Sequence, residues 1–243
     1  MKNIVIAAGY ATRLYPLTEN FPKPLLKIGS SSILGRLIDD IDAIADINEH
    51  IIVSNHKFVS HFREWASSVS TRCPITIVDD GTTTNESRMG AVRDLLLAIN
   101  ERNVDEDILV IAADNILDFS FAGFVEAAKA KGTSMIMCHY EPELYRLQRT
   151  GVIAVDENMR VLEMQEKPQE PVSHWAVPPF YIYKRADLPL IRDCMAHGCG
   201  FDAPGNLAHY LCSRTTIHAY EMPGERHDIG SLDSYKEAQE KFG

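Results

Sequence analysis

Two cations, Arg13 and Lys23, stand close together near the start of the chain. They follow the small-residue run Ala7-Ala8-Gly9, which ends the apolar stretch Asn3-Ile-Val-Ile. A buried strand that breaks into small residues lets backbone N–H groups approach a ligand closely, and successive N–H groups in a turn form an anion-binding concavity. Ala7, Ala8, Gly9, Ala11, Thr12 and Arg13 therefore read as a phosphate-binding loop, with Lys23 as its second cation. Two commoner phosphate loops are excluded. The spacing G-x-x-x-x-G-K-[ST] is absent, and Tyr10 and Ala11 after Gly9 break G-x-G-x-x-G. Further on, the most apolar run of the chain, residues 107–113, ends in Asp114-Asn115. A carboxylate directly after a central strand sits at the open end of a sheet, and hard divalent cations such as magnesium prefer carboxylate and phosphate oxygens.

The elements that must position these groups follow from periodicity. Ile33, Leu34, Leu37, Ile38, Ile41 and Ile44 recur at helical spacing behind Ser32, a fitting N-cap. Residues 50–54, 75–78, 107–113 and 133–140 read as strands, and 57–68, 91–100 and 121–131 as the helices between them. That alternation predicts an α/β chain with a Rossmann-like, doubly wound and mostly parallel sheet, whose ligands collect beyond the carboxyl ends of the strands. After residue 140 the texture changes. Residues 151–168 form two short alternating runs around a polar turn, an inserted β-hairpin, and 173–183 reads as one aromatic strand. Helical patterns at 185–197 and 206–212, a strand at 215–221 and a last helix capped by Ser231 complete the chain. The expectation is a single domain over 1–243, whose texture divides it into 1–140 and 141–243.

Composition limits the partners. A net charge of −10 without a basic cluster argues against sequence-blind nucleic-acid binding, and no stretch approaches the ~20 apolar residues of a membrane span. Lys2 precedes an apolar run too short for a signal peptide, soon broken by Gly9 and Arg13. The five cysteines, at 73, 138, 194, 199 and 212, are odd in number and include no C-x-x-C pair, which predicts reduced thiols in a cytoplasmic protein. Cys194, His197 and Cys199 read as a helix end with ordinary buried thiols rather than a zinc site, because no second ligand pair follows.

On the matched positions Gly9, Thr12, Arg13, Pro16, Thr18 and Lys23, the first loop resembles the signature of the sugar-phosphate nucleotidyltransferases, with Ala11 where that family usually carries its last glycine. The resemblance continues through nearly the whole chain in family order, and it implies a nucleotide-binding half at 1–140 and an acceptor-binding half at 141–243. Asp114 and Asn115 match Gly-Asp-Asn, with Ala113 for the glycine, and His227-Asp228-Ile-Gly-Ser matches Asp-x-Gly-[ST]. The resemblance implies that Asp114 and Asp228 hold magnesium. Residues 79–90 correspond to the loop that reads the nucleotide base, which places Asp80 and Gly90 at the nucleotide. An acidic acceptor there suits the cytosine amino group or the ring N–H of uracil or thymine.

Residues 151–183 look like the acceptor half of the glucose-1-phosphate thymidylyltransferases. Carried over, Gly151 approaches the sugar hydroxyls, Glu166 accepts hydrogen bonds from them, Lys167 binds the acceptor phosphate, Val177 walls the pocket, and Asn115 joins the acceptor site. Thr150 replaces an aromatic residue, Pro178-Pro179 replaces Thr-Gly, and Arg226 replaces a tryptophan. Arg226 adds a cation for a second anionic group. The implied reaction moves a nucleoside monophosphate from CTP, UTP or dTTP to a sugar 1-phosphate and releases pyrophosphate. Two other readings stay open: a CTP-dependent cytidylyltransferase for a phospho-alcohol or phosphonate, and a non-catalytic nucleotide or sugar-phosphate sensor. Relatives of this size often form symmetric assemblies, so a homo-oligomer is also expected.

Overall fold

The computed structural model describes residues 1–243, which form two compact units interleaved along the chain. The first comprises Met1–Met89, Ala112–Phe121 and Gly224–Gly243; the second comprises Gly90–Ile111 and Ala122–Pro223.

In the first unit three parallel strands lie side by side, with Glu49–Ser54 between Lys2–Ile6 and Ile75–Asp79. Every residue of Glu49–Ser54 is buried, as a strand covered on both faces must be. The helix Ile33–Asp42 turns Ile33, Leu34, Leu37, Ile38 and Ile41 inward, and the Ser32 hydroxyl caps it by accepting from the Gly35 amide at 2.9 Å. The helix Val59–Ser68 follows the central strand.

Late in sequence the chain returns to this unit. Arg226–Asp228 pairs antiparallel with Asn115–Leu117, setting Asp228 opposite Asn115. The helix Leu232–Phe242 then starts at Ser231, whose side chain and that of Ser234 cap each other's amides. Leu14, Leu26, Ile28, Ile33, Ile116, Ile229 and Ala238 form one buried cluster that ties the first loop, the short ribbon and the last helix together. Each buried Leu or Ile contributes about 1.5–3 kcal/mol. The fixed positions of Arg13, Lys23, Asp114 and Asp228 rest on this cluster.

In the second unit the strand order is Val161–Glu166, Gly151–Val155, Trp175–Val177, Ser134–Tyr140, Phe180–Tyr183, Ile108–Ala112. These neighbours pair antiparallel, and Ile217–Glu221 adds a parallel partner to Ser134–Tyr140. The hairpin turn is built by Asp156, whose carboxylate accepts from the amides of Asn158 and Arg160, both at 2.9 Å.

The expected single strand over 173–183 is two strands. Pro178 and Pro179 have no N–H to give a ladder, so the chain leaves one pairing at Val177 and enters another at Phe180. The expected helix at 185–197 is likewise broken into a short α-helical turn, Leu188–Asp193, flanked by 3-10 turns. No helix in the chain is long and apolar enough to cross a membrane.

Candidate active site

The first loop leaves the sheet at Ala7, whose amide donates to the Val53 carbonyl at 2.9 Å. The Ala8 carbonyl accepts from the Asn55 side chain at 2.9 Å. Gly9 is exposed, with nothing within 4 Å of where a Cβ would stand, so its backbone is open to a ligand. Ala11 has φ +48°, in the left-handed region. That conformation suits glycine and costs an L-residue about 1–2 kcal/mol. The Thr18 hydroxyl holds it by donating to the Ala11 carbonyl at 2.8 Å. Thr12–Leu14 then makes one 3-10 turn that buries Leu14 and leaves Arg13 exposed.

Lys23 joins the loop to the acids. Its ammonium donates to Asp114 Oδ2 at 2.9 Å and to the Ile229 carbonyl at 3.0 Å. The other Asp114 oxygen accepts from the Asn115 amide group at 2.7 Å, and Asn115 Oδ1 accepts from Arg226 at 2.8 Å. Ile229 also donates its N–H to the Asp114 carbonyl at 2.9 Å, which locks the two acidic segments together. Asp228 keeps accessible area but is set among many protein atoms. This partial burial, followed by the negative charge of Asp114, raises its pKa above the usual carboxylate range; Lys23, Arg226 and Arg13 oppose the rise. Two carboxylates that repel each other beside three cations form an all-oxygen donor set, and Asp114 and Asp228 fit a hard divalent cation such as magnesium.

Asp80 follows the edge strand, its amide donating to the Ser54 carbonyl at 2.9 Å. One carboxylate oxygen accepts from the Thr82 amide at 2.7 Å, and the Thr82 hydroxyl meets the Tyr10 hydroxyl at 3.2 Å. The other oxygen, Oδ2, is buried without a partner. Burial raises the Asp80 pKa. An orphaned acceptor tied to the loop through Tyr10 and Thr82 is a group still lacking a donor.

The second unit assembles three further residues on one rung of its sheet, because Gly151 pairs with both Glu166 and Val177. A Cβ on Gly151 would stand 3.2 Å from the Val177 side chain and 3.5 Å from Glu166 Oε2. Burial raises the Glu166 pKa, with Lys167 opposing and Asp202 adding to the rise. Lys167 adopts a left-handed φ of +50° and reaches 3.9 Å from Glu166 Oε1, its side chain largely exposed. Gly90 also lies in this unit, with φ +90° and the Phe201 carbonyl only 2.6 Å from a would-be Cβ. Its glycine thus has a backbone reason.

Gly205 was not foreseen: a Cβ there would stand 1.9 Å from Glu166 Oε2, so the glycine makes room for that carboxylate. In the sequence, Ala203-Pro204-Gly205 reads only as a helix start. Cys194 and Cys199 are buried free thiols, as expected.

Residues 2–243 match the model of the nucleotidyl transferase family. The chain belongs to that family. Family members are enzymes that transfer a nucleotidyl group. The chain is 25% identical to a UTP–glucose-1-phosphate uridylyltransferase of Haloferax volcanii, over 100% of this chain and 96% of the relative. It is 26% identical to a glucose-1-phosphate adenylyltransferase of Fervidobacterium nodosum, over 98% of this chain but only 60% of that longer protein. The solved structure of a UDP-glucose pyrophosphorylase with UDP-glucose shares the fold, with TM-score 0.83, 22% identity and coverage of 99% and 97% of the two chains. The α/β class expected from the alternation of strands and helices thus holds for the family as for this chain.

Proposed function

We infer that this nucleotidyltransferase transfers a nucleoside monophosphate from a pyrimidine nucleoside triphosphate to a sugar 1-phosphate, releasing pyrophosphate. The observation that carries this reading is the Lys23 ammonium, bonded at once to Asp114 and to the Ile229 carbonyl beside Asp228. It couples a phosphate-binding loop to two acids.

The acceptor is a phosphomonoester with a second pKa near ~6, already ionised at neutral pH, so no protein base is needed. The difficulty is that two anions must meet. At ~4 Å and an effective dielectric of ~20, each pair of like unit charges repels by about 4 kcal/mol. The protein's contribution is therefore placement of cations and orientation of the reactants. The backbone of residues 7–12 and the Arg13 and Lys23 side chains bind the triphosphate. Magnesium, held by Asp114 and Asp228, supplies neutralising charge when bound. Lys167 binds the acceptor phosphate, Glu166 accepts from sugar hydroxyls, and Gly151, Gly205 and Val177 shape the space around them. Arg226, anchored by Asn115, adds positive charge beside the acids.

Two findings support the assignment. The chain spans nearly all of a uridylyltransferase of matching length, and Asp80 presents an orphaned acceptor that a pyrimidine amino or imino group would satisfy. The test is pyrophosphate release with magnesium, across the common nucleoside triphosphates and a panel of sugar 1-phosphates. Release with a pyrimidine triphosphate and one sugar 1-phosphate is expected and names both substrates, whereas release with a purine triphosphate alone would overturn the pyrimidine assignment. Tight nucleotide binding by calorimetry without pyrophosphate from any pairing would refute it and leave a nucleotide sensor.

A further inference from the structure

A second group of ligand-type side chains lies in the first unit, at the amino ends of the parallel strands, opposite to the ends that carry the loop and Asp80. Asp42 ends the helix Ile33–Asp42, His50 is the second residue of Glu49–Ser54, and Cys73 precedes Ile75–Asp79. One potential ligand atom from each of Asp42, His50 and Cys73 lies within 4.8 Å of the other two, and His50 Nε2 meets Asp42 Oδ1 at 3.1 Å. His50 is fully buried and Cys73 nearly so. We propose that Asp42, His50 and Cys73 form a zinc site with three protein ligands, distinct from the acid pair Asp114 and Asp228.

The donor chemistry selects the ion. One imidazole nitrogen, one thiolate and one carboxylate suit a borderline cation such as zinc and leave its fourth tetrahedral position to water, whereas magnesium avoids sulfur. Two negative ligands neutralise the ion's charge. Arg72 stands alongside, but its guanidinium is occupied by the carbonyls of Asp42, Ile44 and Ile47 at 2.8–2.9 Å. Its charge favours the Cys73 thiolate, while burial and the bond to Asp42 favour the thiol. Glu49, whose charge also acts on His50, is paired with Lys2 at 3.0 Å.

The group behind the His50 ring points the same way. A metal-ligating histidine donates its other ring N–H to an acceptor. Asn3, fully buried, lies with its side-chain amide 3.0 Å from His50 Nδ1, and its Oδ1 has no hydrogen-bond partner. With the amide nitrogen toward Nδ1, the His50 proton sits on Nε2 and goes to Asp42 at 3.1 Å. A half-turn of the Asn3 amide presents Oδ1 to Nδ1–H and frees the Nε2 lone pair for the ion. Binding then moves the His50 proton from Nε2 to Nδ1 and expels one proton, that of the Cys73 thiol. The Asp42 carboxyl is already ionised. Burial opposes its charge, but the amides of Arg72 and Cys73 and the His50 ring outweigh it and bring its pKa down to about 2.

The test uses the full-length chain, reduced, stripped with chelator and titrated with cobalt(II), the spectroscopic stand-in for zinc. The expected result is one equivalent bound, a sulfur-to-cobalt charge-transfer band, release of one proton, loss of the band on adding zinc, and a higher unfolding temperature with zinc. Cys73→Ser removes the band while Asp114→Asn keeps it. Asn3→Leu, which retains all three ligands, weakens cobalt binding about 10-fold or more, and Asn3→Asp, which restores an acceptor, does not. No charge-transfer band in the wild-type chain, or a band that survives Cys73→Ser, would overturn the proposal. If Cys73→Ser fails to fold, cobalt affinity equal in Asn3→Leu and wild type overturns it instead.

Discussion

Lys23→Met isolates the link between the loop and the acids. Methionine keeps the apolar stem and removes the ammonium that donates to Asp114 Oδ2 at 2.9 Å and the Ile229 carbonyl at 3.0 Å. The side chains of Lys23 and Asp114 are 13% and 32% exposed, so water can take over part of the lost contact. A hydrogen bond to a charged group contributes about 1.5–3 kcal/mol, and solvent access brings this one toward about 1–2 kcal/mol. The fully buried Ile229 loses its donor as well, at a cost of about 1 kcal/mol. Together the loss is about 2–3 kcal/mol, which lowers the melting temperature of a domain this size by about 5–10 °C. The assay is thermal unfolding in chelator, by circular dichroism, of wild type, Lys23→Met, Asp114→Asn and the double variant. Without Lys23 the acids repel each other unopposed from that side. Added magnesium is therefore expected to stabilise Lys23→Met more than wild type, and the cost of losing Lys23 is expected to shrink in the Asp114→Asn background. Equal melting temperatures of wild type and Lys23→Met in chelator, or the same cost with and without Asp114, would refute the electrostatic account.

Asp228→Asn is expected to lower turnover by more than about 100-fold while the fold survives, since even contacts outside a metal's ligand shell cost 10–100-fold; turnover within a factor of a few of wild type would remove Asp228 from the site. Ala11→Gly should stabilise the chain by about 1 kcal/mol, read as a higher urea midpoint, because it relieves a left-handed alanine. Asp80→Asn replaces an orphaned acceptor with an amide that also donates, so the ranking of nucleoside triphosphates by kcat/KM should change; an unaltered ranking would show that Asp80 does not face the base. If Glu166 accepts from acceptor hydroxyls as a carboxylate, as proposed, its raised pKa means that acceptor KM should climb as pH falls through a value above 4.5. The same shift gives the opposite sign in stability. Its contribution is present below 4.5 and lost as pH rises through the folded value, so Glu166→Gln should be more stable than wild type at neutral pH and lack the acid limb in KM.

The strand and helix order was legible because hydrophobic period carries it: 3.6 in Ile33–Asp42, and continuous apolar runs in Glu49–Ser54 and Ile108–Ala112. The cap residues Ser32 and Ser231 were legible for the same local reason. Three-residue strands were not. Asn115–Leu117 and Arg226–Asp228 are too short to show a period, and their pairing depends on a partner more than 100 residues away. Pro178-Pro179 was visible, but its effect, to divide one strand between two partners, depends on which neighbours lie on either side. In the site, residue types revealed the loop and the acid after a strand. What they could not reveal was Gly205, whose meaning appears only when Glu166 lies across it, or the Lys23 bridge, which requires the chain's two ends to meet.

That meeting governs when the protein becomes competent during its own synthesis. Asp114 emerges from the ribosome 114 residues before Asp228. Between them residues 122–223 of the second unit are made, and the first unit is completed only afterwards, because Ile229 has to reach the Asp114 carbonyl and the helix Leu232–Phe242 has to complete the cluster around Leu14 and Ile116. A nascent chain, or one that stalls or is clipped before residue 224, carries the first loop without Asp228. On the proposed function it would hold nucleotide weakly and lack the charge needed to transfer it, and Leu14, Leu26 and Ile116 would remain uncovered as a mark for chaperones and proteases.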